Sequence, residues 1–336
     1  MKKLNKNKAL LKTVFFLLVT CILAGCSKEK KLQNKETVSV VTTIFPIFDW
    51  TRNLCKGING INIEMLSKNG TDLHSFQPSA ADIIKISQSD LFIFIGGESD
   101  SWIKDVLKTS GNKNQLVLNL TEILKDELKE EESVEGMEEH HHHEEEKDAD
   151  SDHIEYDEHL WLSVKNAKIA CTKIAEALEL IDLGNSALIA ENLVSYNQQL
   201  SLLENEILSL KPLCKGKSII VCDRFPFRYM TEELGLKYFA AFTGCSAETE
   251  ASFETLAFLA KKVSSEKPKA VFVTESSDLK LSGSVLQSAK ADIPVYRLNS
   301  MQSVTLKNAL LPEDKGGERF ISIMKDNLSK IRYVVE

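Results

Sequence analysis

Eight short apolar segments alternate with helical patterns along this chain, and this alternation constrains the fold more than any other feature. Four segments lie in each half of the chain, at 38–44, 61–66, 91–96, 116–120, 218–223, 237–242, 270–275 and 294–298. Helical patterns accompany them, among others at 80–87, 226–234, 250–265 and 316–332. Strands that alternate with helices favour parallel sheets covered by helices. Because 336 residues exceed one average domain, the sequence predicts two α/β lobes with parallel-rich sheets.

A longer periodic segment lies between the two groups of strands. From 185 to 210, apolar residues recur every three or four positions, and neither glycine nor proline occurs before Pro212. This pattern predicts one amphipathic helix of about 26 residues, roughly 39 Å long. Such a helix can join two lobes rigidly or pack within one of them, and the pattern alone leaves both open. The predicted domains are an N-terminal lobe at 38–184, a linking helix at 185–211 and a C-terminal lobe at 212–336.

The first 25 residues have the pattern of a secretory signal. Lysines precede an apolar run from Val14 to Ala24, which is shorter than the ~20 residues of a membrane helix. The run ends in Leu-Ala-Gly before Cys26, which is typical of a bacterial lipoprotein signal, so we expect Cys26 to become the lipidated first residue. A plain secreted protein or a short membrane anchor is the alternative. The polar segment at 26–37 suits a flexible tether.

The negative charge of the chain is concentrated in one segment. Between Asp126 and Glu158 there are 17 acidic residues against two lysines, in a chain of net charge −8. The segment contains almost no apolar residues, so it cannot bury enough surface to order itself, and it is predicted to be an insertion loop of the N-terminal lobe. No dense basic run exists outside the N-terminus, which argues against a nucleic-acid partner.

Motifs for catalysis and for disulfide frameworks are missing. The sequence has no GxSxG, HExxH, Walker A or dinucleotide-binding pattern, so we predict a protein that is not an enzyme. Cys245, in GCSAETEASFETL, would need a nearby base to act as a nucleophile, and all the histidines lie elsewhere in the sequence. The five cysteines after Cys26 form no CxxC pair, which argues against structural zinc; a single disulfide stays open.

All seven histidines lie in three places. His74 follows a glycine-containing turn and precedes a proline that opens a helix, and His159 lies directly before the aromatic and apolar sequence Leu-Trp-Leu. The other five, within the acidic segment, are His140, His141, His142, His143 and His153. Neutral imidazoles and carboxylates are favoured ligands of zinc and other transition metals. The loop histidines are interpreted as an accessory, low-affinity metal-binding segment, while spacing alone leaves open whether His74 and His159 share a site.

Six segments follow one another along the chain. They are the Leu-Ala-Gly-Cys lipobox that ends at Cys26, VVTTIFPIFDW, GTDLHSFQPSAADIIKISQSDLFIFIGGES, the His-rich insertion, YDEHLWLSVKNAKI and the long helix. In this order they resemble the zinc and manganese substrate-binding lipoproteins of bacterial ABC transporters, periplasmic-type proteins of cluster A-I. The resemblance covers essentially the whole chain after the signal. It implies two α/β lobes joined by a rigid helix, with one divalent metal in the cleft between them and His74 and His159 as ligands from the N-terminal lobe.

In the C-terminal lobe the chain departs from the pattern that this resemblance implies. Family members usually place His or Glu three residues before the Phe of an FGY-like turn, and DRFPFRYM has Arg224 there, which has no lone pair for a metal. The Asp that usually follows an apolar strand corresponds to Asn299, which can coordinate through its carbonyl oxygen. Asp223 and Glu275, both at predicted strand ends, are the alternatives that could complete the site.

Together these features predict a membrane-tethered protein on the extracytoplasmic face of the cell membrane. It would capture Zn²⁺, with Mn²⁺ as the alternative, and deliver it to an ABC permease; we expect a monomer. A metal-dependent hydrolase would need an open coordination position beside a general base, and no hydrolase motif supports one. A surface adhesin or metal-buffering lipoprotein with a degenerate cleft site would account for Arg224 and Asn299.

Overall fold

Two parallel four-stranded sheets form the framework of residues 37–137, 155–246 and 250–336, which the computed structural model describes. One sheet comes from each half of the chain, so the predicted fold class is confirmed, and each of the eight predicted strands is present. Cys26 and the loop histidines His140–His143 and His153 lie outside the described residues. Within the described ranges, no helix combines the length and the apolar character needed to cross a membrane.

The sheet of the first half has the strand order β2-β1-β3-β4. Its strands are β1 (Val38–Thr42), β2 (Ile61–Met65), β3 (Leu91–Phe94) and β4 (Leu116–Asn119). Its helices are α1 (Phe45–Leu54), α2 (Ala80–Gln88), α3 (Ile103–Thr109), α4 (Leu120–Ile123) and α5 (Val164–Ile181). All four residues of β3 are buried, as expected of a parallel strand covered on both faces. Ser79 and Asp82 form a capping box that starts α2.

The second half begins with the long helix α6 (Ser186–Cys214) and continues into a sheet of order β6-β5-β7-β8. The strands are β5 (Ser218–Phe225), β6 (Lys237–Thr243), β7 (Val271–Thr274) and β8 (Val295–Leu298). The helices are α7 (Arg228–Leu234), α8 (Phe253–Glu266), α9 (Lys280–Ala289), α10 (Leu306–Leu310) and α11 (Phe320–Val335). The register of β5 shifts between Val221 and Arg224, so the end of this strand is irregular.

The long helix α6 packs against both halves of the protein. It contacts α1 and α5 of the first half and α7 and α11 of the second half. Its buried residues follow the predicted apolar spacing: Ile189, Tyr196, Leu200, Leu203, Ile207, Leu210 and Cys214. They belong to one apolar core that contains residues of both sheets. The helix therefore joins the two halves rather than belonging to one, and it continues through Pro212 to end at Cys214.

The acidic segment is ordered at both of its described ends, so the expectation that all of 126–158 cannot order itself is wrong there. Glu130 pairs with Tyr156 in an antiparallel bridge, and Met137 is buried. Glu132 accepts a hydrogen bond from the Tyr238 hydroxyl at 2.6 Å. Contacts with the second half of the chain thus stabilise these ends, an effect that the local composition of the segment does not reveal.

Candidate metal centre

Loops that follow the carboxyl ends of both sheets meet in one cleft. His74 follows β2, Cys245 follows β6 and Gln302 follows β8. Two contacts hold the halves together near this point: the Leu306 N–H donates to the Lys68 carbonyl at 2.8 Å, and the Trp161 indole N–H donates to the Ser300 carbonyl at 2.9 Å. Crevices outside the carboxyl ends of strands are the usual ligand sites of open α/β sheets.

His74 lies on a single 3-10 turn, Leu73–Ser75, that Asp72 caps. The Asp72 side chain accepts a hydrogen bond from the His74 backbone N–H at 3.0 Å, which fixes the direction of the turn. The ring Nδ1 lies 2.7 Å from the Ser99 hydroxyl. Since Nδ1 is thus occupied, Nε2 is the nitrogen that His74 presents to the cleft.

His159 is fully buried directly before the turn Leu160–Leu162. Asp157 Oδ1 accepts hydrogen bonds from the His159 backbone N–H at 2.9 Å and from Nδ1 at 2.8 Å. A carboxylate at Nδ1 fixes the tautomer that carries its proton there, so the neutral ring has its lone pair on Nε2. Carboxylates in this position orient metal-binding histidines and make them better donors.

The two Nε2 atoms point at each other across 3.3 Å. A tetrahedral zinc ion bound to two imidazoles at 2.0–2.1 Å would separate their nitrogens by about 3.3 Å. The separation therefore already matches that of two ligands of one zinc ion. The pair predicted from sequence, His74 and His159, lies together, and its metal-binding role stays a prediction.

Burial and neighbouring charges act differently on the two imidazoles. Burial, together with the nearby His159 and Arg224, lowers the pKa of His74 to about 4. Burial also opposes protonation of His159, but the carboxylates of Asp157, Asp72 and Glu158 together outweigh it, so the pKa of His159 is raised. A proton held on Nε2 of His159 would occupy the place between the rings that a metal needs, so protons and metal compete for this site.

Cys245 brings a third potential ligand atom to the histidine pair. Its sulfur and one nitrogen from each ring all lie within 4.8 Å of one another. The pKa of the thiol is raised well above its ordinary range, chiefly by burial and further by nearby carboxylates, including Glu131. Sequence reasoning missed this residue because the strands and loops that bring it to the histidines are far apart in the chain. The position of GCS directly after a predicted strand is the only local signal.

Gln302 is a second residue that sequence reasoning missed. Its Nε2 lies 3.2 Å from Nε2 of His159. Its Oε1 is buried and finds no hydrogen-bond partner within the part of the chain that the structure describes. A half-turn of the amide group exchanges the two atoms and would direct the oxygen at the histidine pair.

The other three predicted ligands make hydrogen bonds elsewhere. Asp223 accepts from the Thr274 hydroxyl at 2.8 Å and from the Arg224 N–H at 2.8 Å. Glu275 accepts from the Ser300 N–H and hydroxyl, both at 2.8 Å, and from the Ser303 hydroxyl at 3.0 Å. The structure does not place either carboxylate in the group of side chains that His74, His159 and Cys245 form.

Asn299 is held by the C-terminal helix. Its Oδ1 accepts from the Met301 N–H at 2.7 Å, and its Nδ2 donates to Glu318 at 3.3 Å. Its backbone N–H donates to Asn327 of α11 at 2.9 Å. These bonds occupy the carbonyl oxygen through which Asn299 would coordinate. Metal binding by Asn299, Asp223 and Glu275 stays a prediction.

Arg224 links the two halves of the protein beside the site. Its Nη2 lies 2.9 Å from Oδ2 of Asp72, and its Nη1 donates to the Ser246 carbonyl at 3.3 Å. Arg224, Asp72, Glu275 and Gln302 line a cavity of about 90 Å³ next to the histidine pair. The guanidinium thus ties the loop that carries His74 to the second sheet.

The chain is similar to bacterial metal-binding proteins over nearly its whole length. The zinc-binding lipoprotein AdcA of Streptococcus pneumoniae is 26% identical over 320 residues, and the match spans 95% of this chain and 60% of AdcA. The manganese ABC transporter substrate-binding lipoprotein PsaA of Streptococcus anginosus is 28% identical over 322 residues, spanning 95% of this chain and 96% of PsaA.

The fold agrees with a solved structure, that of the Zn(II)-bound ZnuA-like domain of Streptococcus pneumoniae AdcA. The TM-score is 0.67 at 24% identity, over 89% of this chain and 99% of that domain. Residues 40–334 match the family described as zinc-uptake complex component A, periplasmic. On the extent of that match, this chain belongs to the ZnuA family.

Proposed function

We propose that this protein is the extracytoplasmic binding component of an ABC importer, and that it captures a divalent transition metal and passes it to the permease. Zinc is the first candidate and manganese the alternative. The observation that carries the proposal is the 3.3 Å separation of two Nε2 atoms whose opposite ring nitrogens are both hydrogen-bonded. The similarity to AdcA, a zinc-binding lipoprotein, and to PsaA, a manganese ABC transporter substrate-binding lipoprotein, supports the same cargo.

The metal is cargo in this proposal, and the residues around it bind without reacting. Asp157 and Ser99 hold the rings in place, so the ligands need little reordering when the metal arrives. We infer that the protein is not an enzyme, that Cys26 carries a lipid anchor and that the protein acts as a monomer. The loop histidines, among them His153, would serve as weak sites that raise the local metal concentration.

The test is metal binding by single histidine variants of the purified protein. His74→Ala and His159→Ala should each weaken tight zinc binding at least tenfold, about 1.4 kcal/mol, because each removes one of two preset donors. His153→Ala is the matched control, because it removes a histidine from the acidic segment and should leave the tight site unchanged.

The competing outcomes are distinct. Unchanged zinc and manganese affinity in both His74→Ala and His159→Ala would refute the proposed site. A wild-type protein that binds neither metal would support the alternative of an adhesin with a degenerate cleft. Loss of tight zinc binding in His153→Ala would indicate that the acidic segment, and not the cleft, holds the functional metal site.

A further inference from the structure

Cys245 brings a sulfur atom from the second sheet to the histidine pair, and we propose that its thiolate is the third metal ligand. This inference rests on the proposed function. The resulting site would contain two imidazoles from one half of the protein and one sulfur from the other. It would favour zinc over manganese, because thiolate is a soft ligand that zinc accepts and manganese does not prefer.

The position of Cys245 suits this role. It follows β6, and its backbone N–H donates to Glu131 at 3.1 Å, which ties the loop to the described end of the acidic segment. A tetrahedral zinc with bonds of about 2.3 Å to sulfur and 2.05 Å to nitrogen would separate these atoms by about 3.6 Å. Since all three ligand atoms lie within 4.8 Å of one another, the sulfur must approach by at most roughly 1.2 Å.

Gly244 lets the loop come close to His159, and the charged side chains nearby are engaged with other partners. Gly244 lies against the ring of His159, where an added Cβ would be 3.0 Å from Cε1. Arg224 of the second sheet offers no ligand atom, because its guanidinium has no lone pair and pairs with Asp72. Asp223 and Glu275 already accept hydrogen bonds from Thr274, Ser300 and Ser303.

Cys245 also differs from the other described cysteines. Cys55, Cys171, Cys214 and Cys222 are buried and free, whereas Cys245 is partly exposed. Buried cysteines of this kind act as small apolar residues. Coordination would require only that the Cys245 thiol lose its proton to solvent as the Zn–S bond forms, with no oxidation.

Cobalt(II) and zinc(II) are suitable probes for the sulfur. The cobalt-loaded protein should show a thiolate-to-cobalt charge-transfer band in the near ultraviolet, and X-ray absorption of the zinc form should show one sulfur at about 2.3 Å. Cys245→Ser should lose both signals. Cys222→Ser is the matched control from the same sheet and should keep them.

Affinities measured by competition test the selectivity. Cys245→Ser should weaken zinc binding at least tenfold. The change in the logarithm of the Kd for manganese should be less than half of the change for zinc. Only nitrogen and oxygen around the zinc of the wild-type protein, or unchanged zinc affinity in Cys245→Ser, would overturn the proposal.

The two proposals fail in different ways. If Cys245→Ser keeps tight zinc binding that His74→Ala loses, the thiolate ligand is refuted and the importer function stands. If the wild-type protein binds none of cobalt, zinc and manganese, both are refuted.

Discussion

The ion pair between Arg224 and Asp72 should slow metal release. Asp72 caps the turn that carries His74 through Oδ1 and binds Arg224 through Oδ2. Asp72→Asn keeps an oxygen for the cap while removing the charge, and Arg224→Gln removes the charge on the other side. Either change removes one of the contacts that tie the His74 loop to the second half of the protein.

The magnitude follows from the geometry. Unit charges about 4 Å apart attract by about 4 kcal/mol at an effective dielectric constant near 20, and desolvation cancels most of this. The side chains of Arg224 and Asp72 are 22% and 21% exposed, so the pair is intermediate between surface and buried pairs. We expect a coupling of about 1.4 kcal/mol, which corresponds to a tenfold change in rate.

The assay is the rate at which a chelator removes zinc from the wild-type protein, the two single variants and the double variant. Each single variant should release zinc about tenfold faster, and the double variant no faster than either single one. Arg228→Gln, which removes an arginine paired with Glu132 and Glu232, is the control and should leave the rate unchanged. Additive effects, or release at the wild-type rate in Arg224→Gln, would refute the role of the pair.

Two further predictions concern Gly244 and Asp49. Gly244→Ala would place a Cβ 2.9 Å from the Phe225 carbonyl oxygen and 3.0 Å from the ring of His159, so zinc affinity should fall at least fivefold. The control Gly283→Ala, whose added Cβ has no atom within 4 Å, should bind zinc like the wild type. Equal zinc affinities of the two variants would contradict this prediction. Burial raises the pKa of Asp49 from 3.8 to about 6, so the free energy of unfolding of the wild type should fall by up to about 3 kcal/mol as pH rises from 3.8 through 6. In urea unfolding, the stability of Asp49→Asn relative to the wild type should therefore rise over that range. A difference between the two proteins that does not depend on pH would exclude the effect.

Local patterns in the sequence were sufficient for the fold, and the family resemblance was needed to pair His74 with His159. Strand alternation and the spacing along α6 predicted elements that the structure contains, because both arise from neighbouring residues. His74 and His159 stand in distinctive local sequences. The residues that face them from the second sheet were not identified, because Cys245 and Gln302 approach through the packing of two halves. The spacing of residues in the sequence likewise could not predict the hydrogen bonds between Asn299 and α11.

The packing of α6 determines which motions can release a metal. Leu200, Leu203, Ile207 and Leu210 are almost completely buried in a core shared by both sheets. A wide swing of one sheet away from the other would expose this seam at a cost of about 1.5–3 kcal/mol for each of the four side chains, or roughly 6–12 kcal/mol. A rigid swing is therefore a costly way to open the cleft, whereas a movement confined to the loops around His74 and Gln302 would leave this seam closed. An acceptor of the ion would then act at the rim of the cleft itself, because a contact there can move these loops without separating the two sheets.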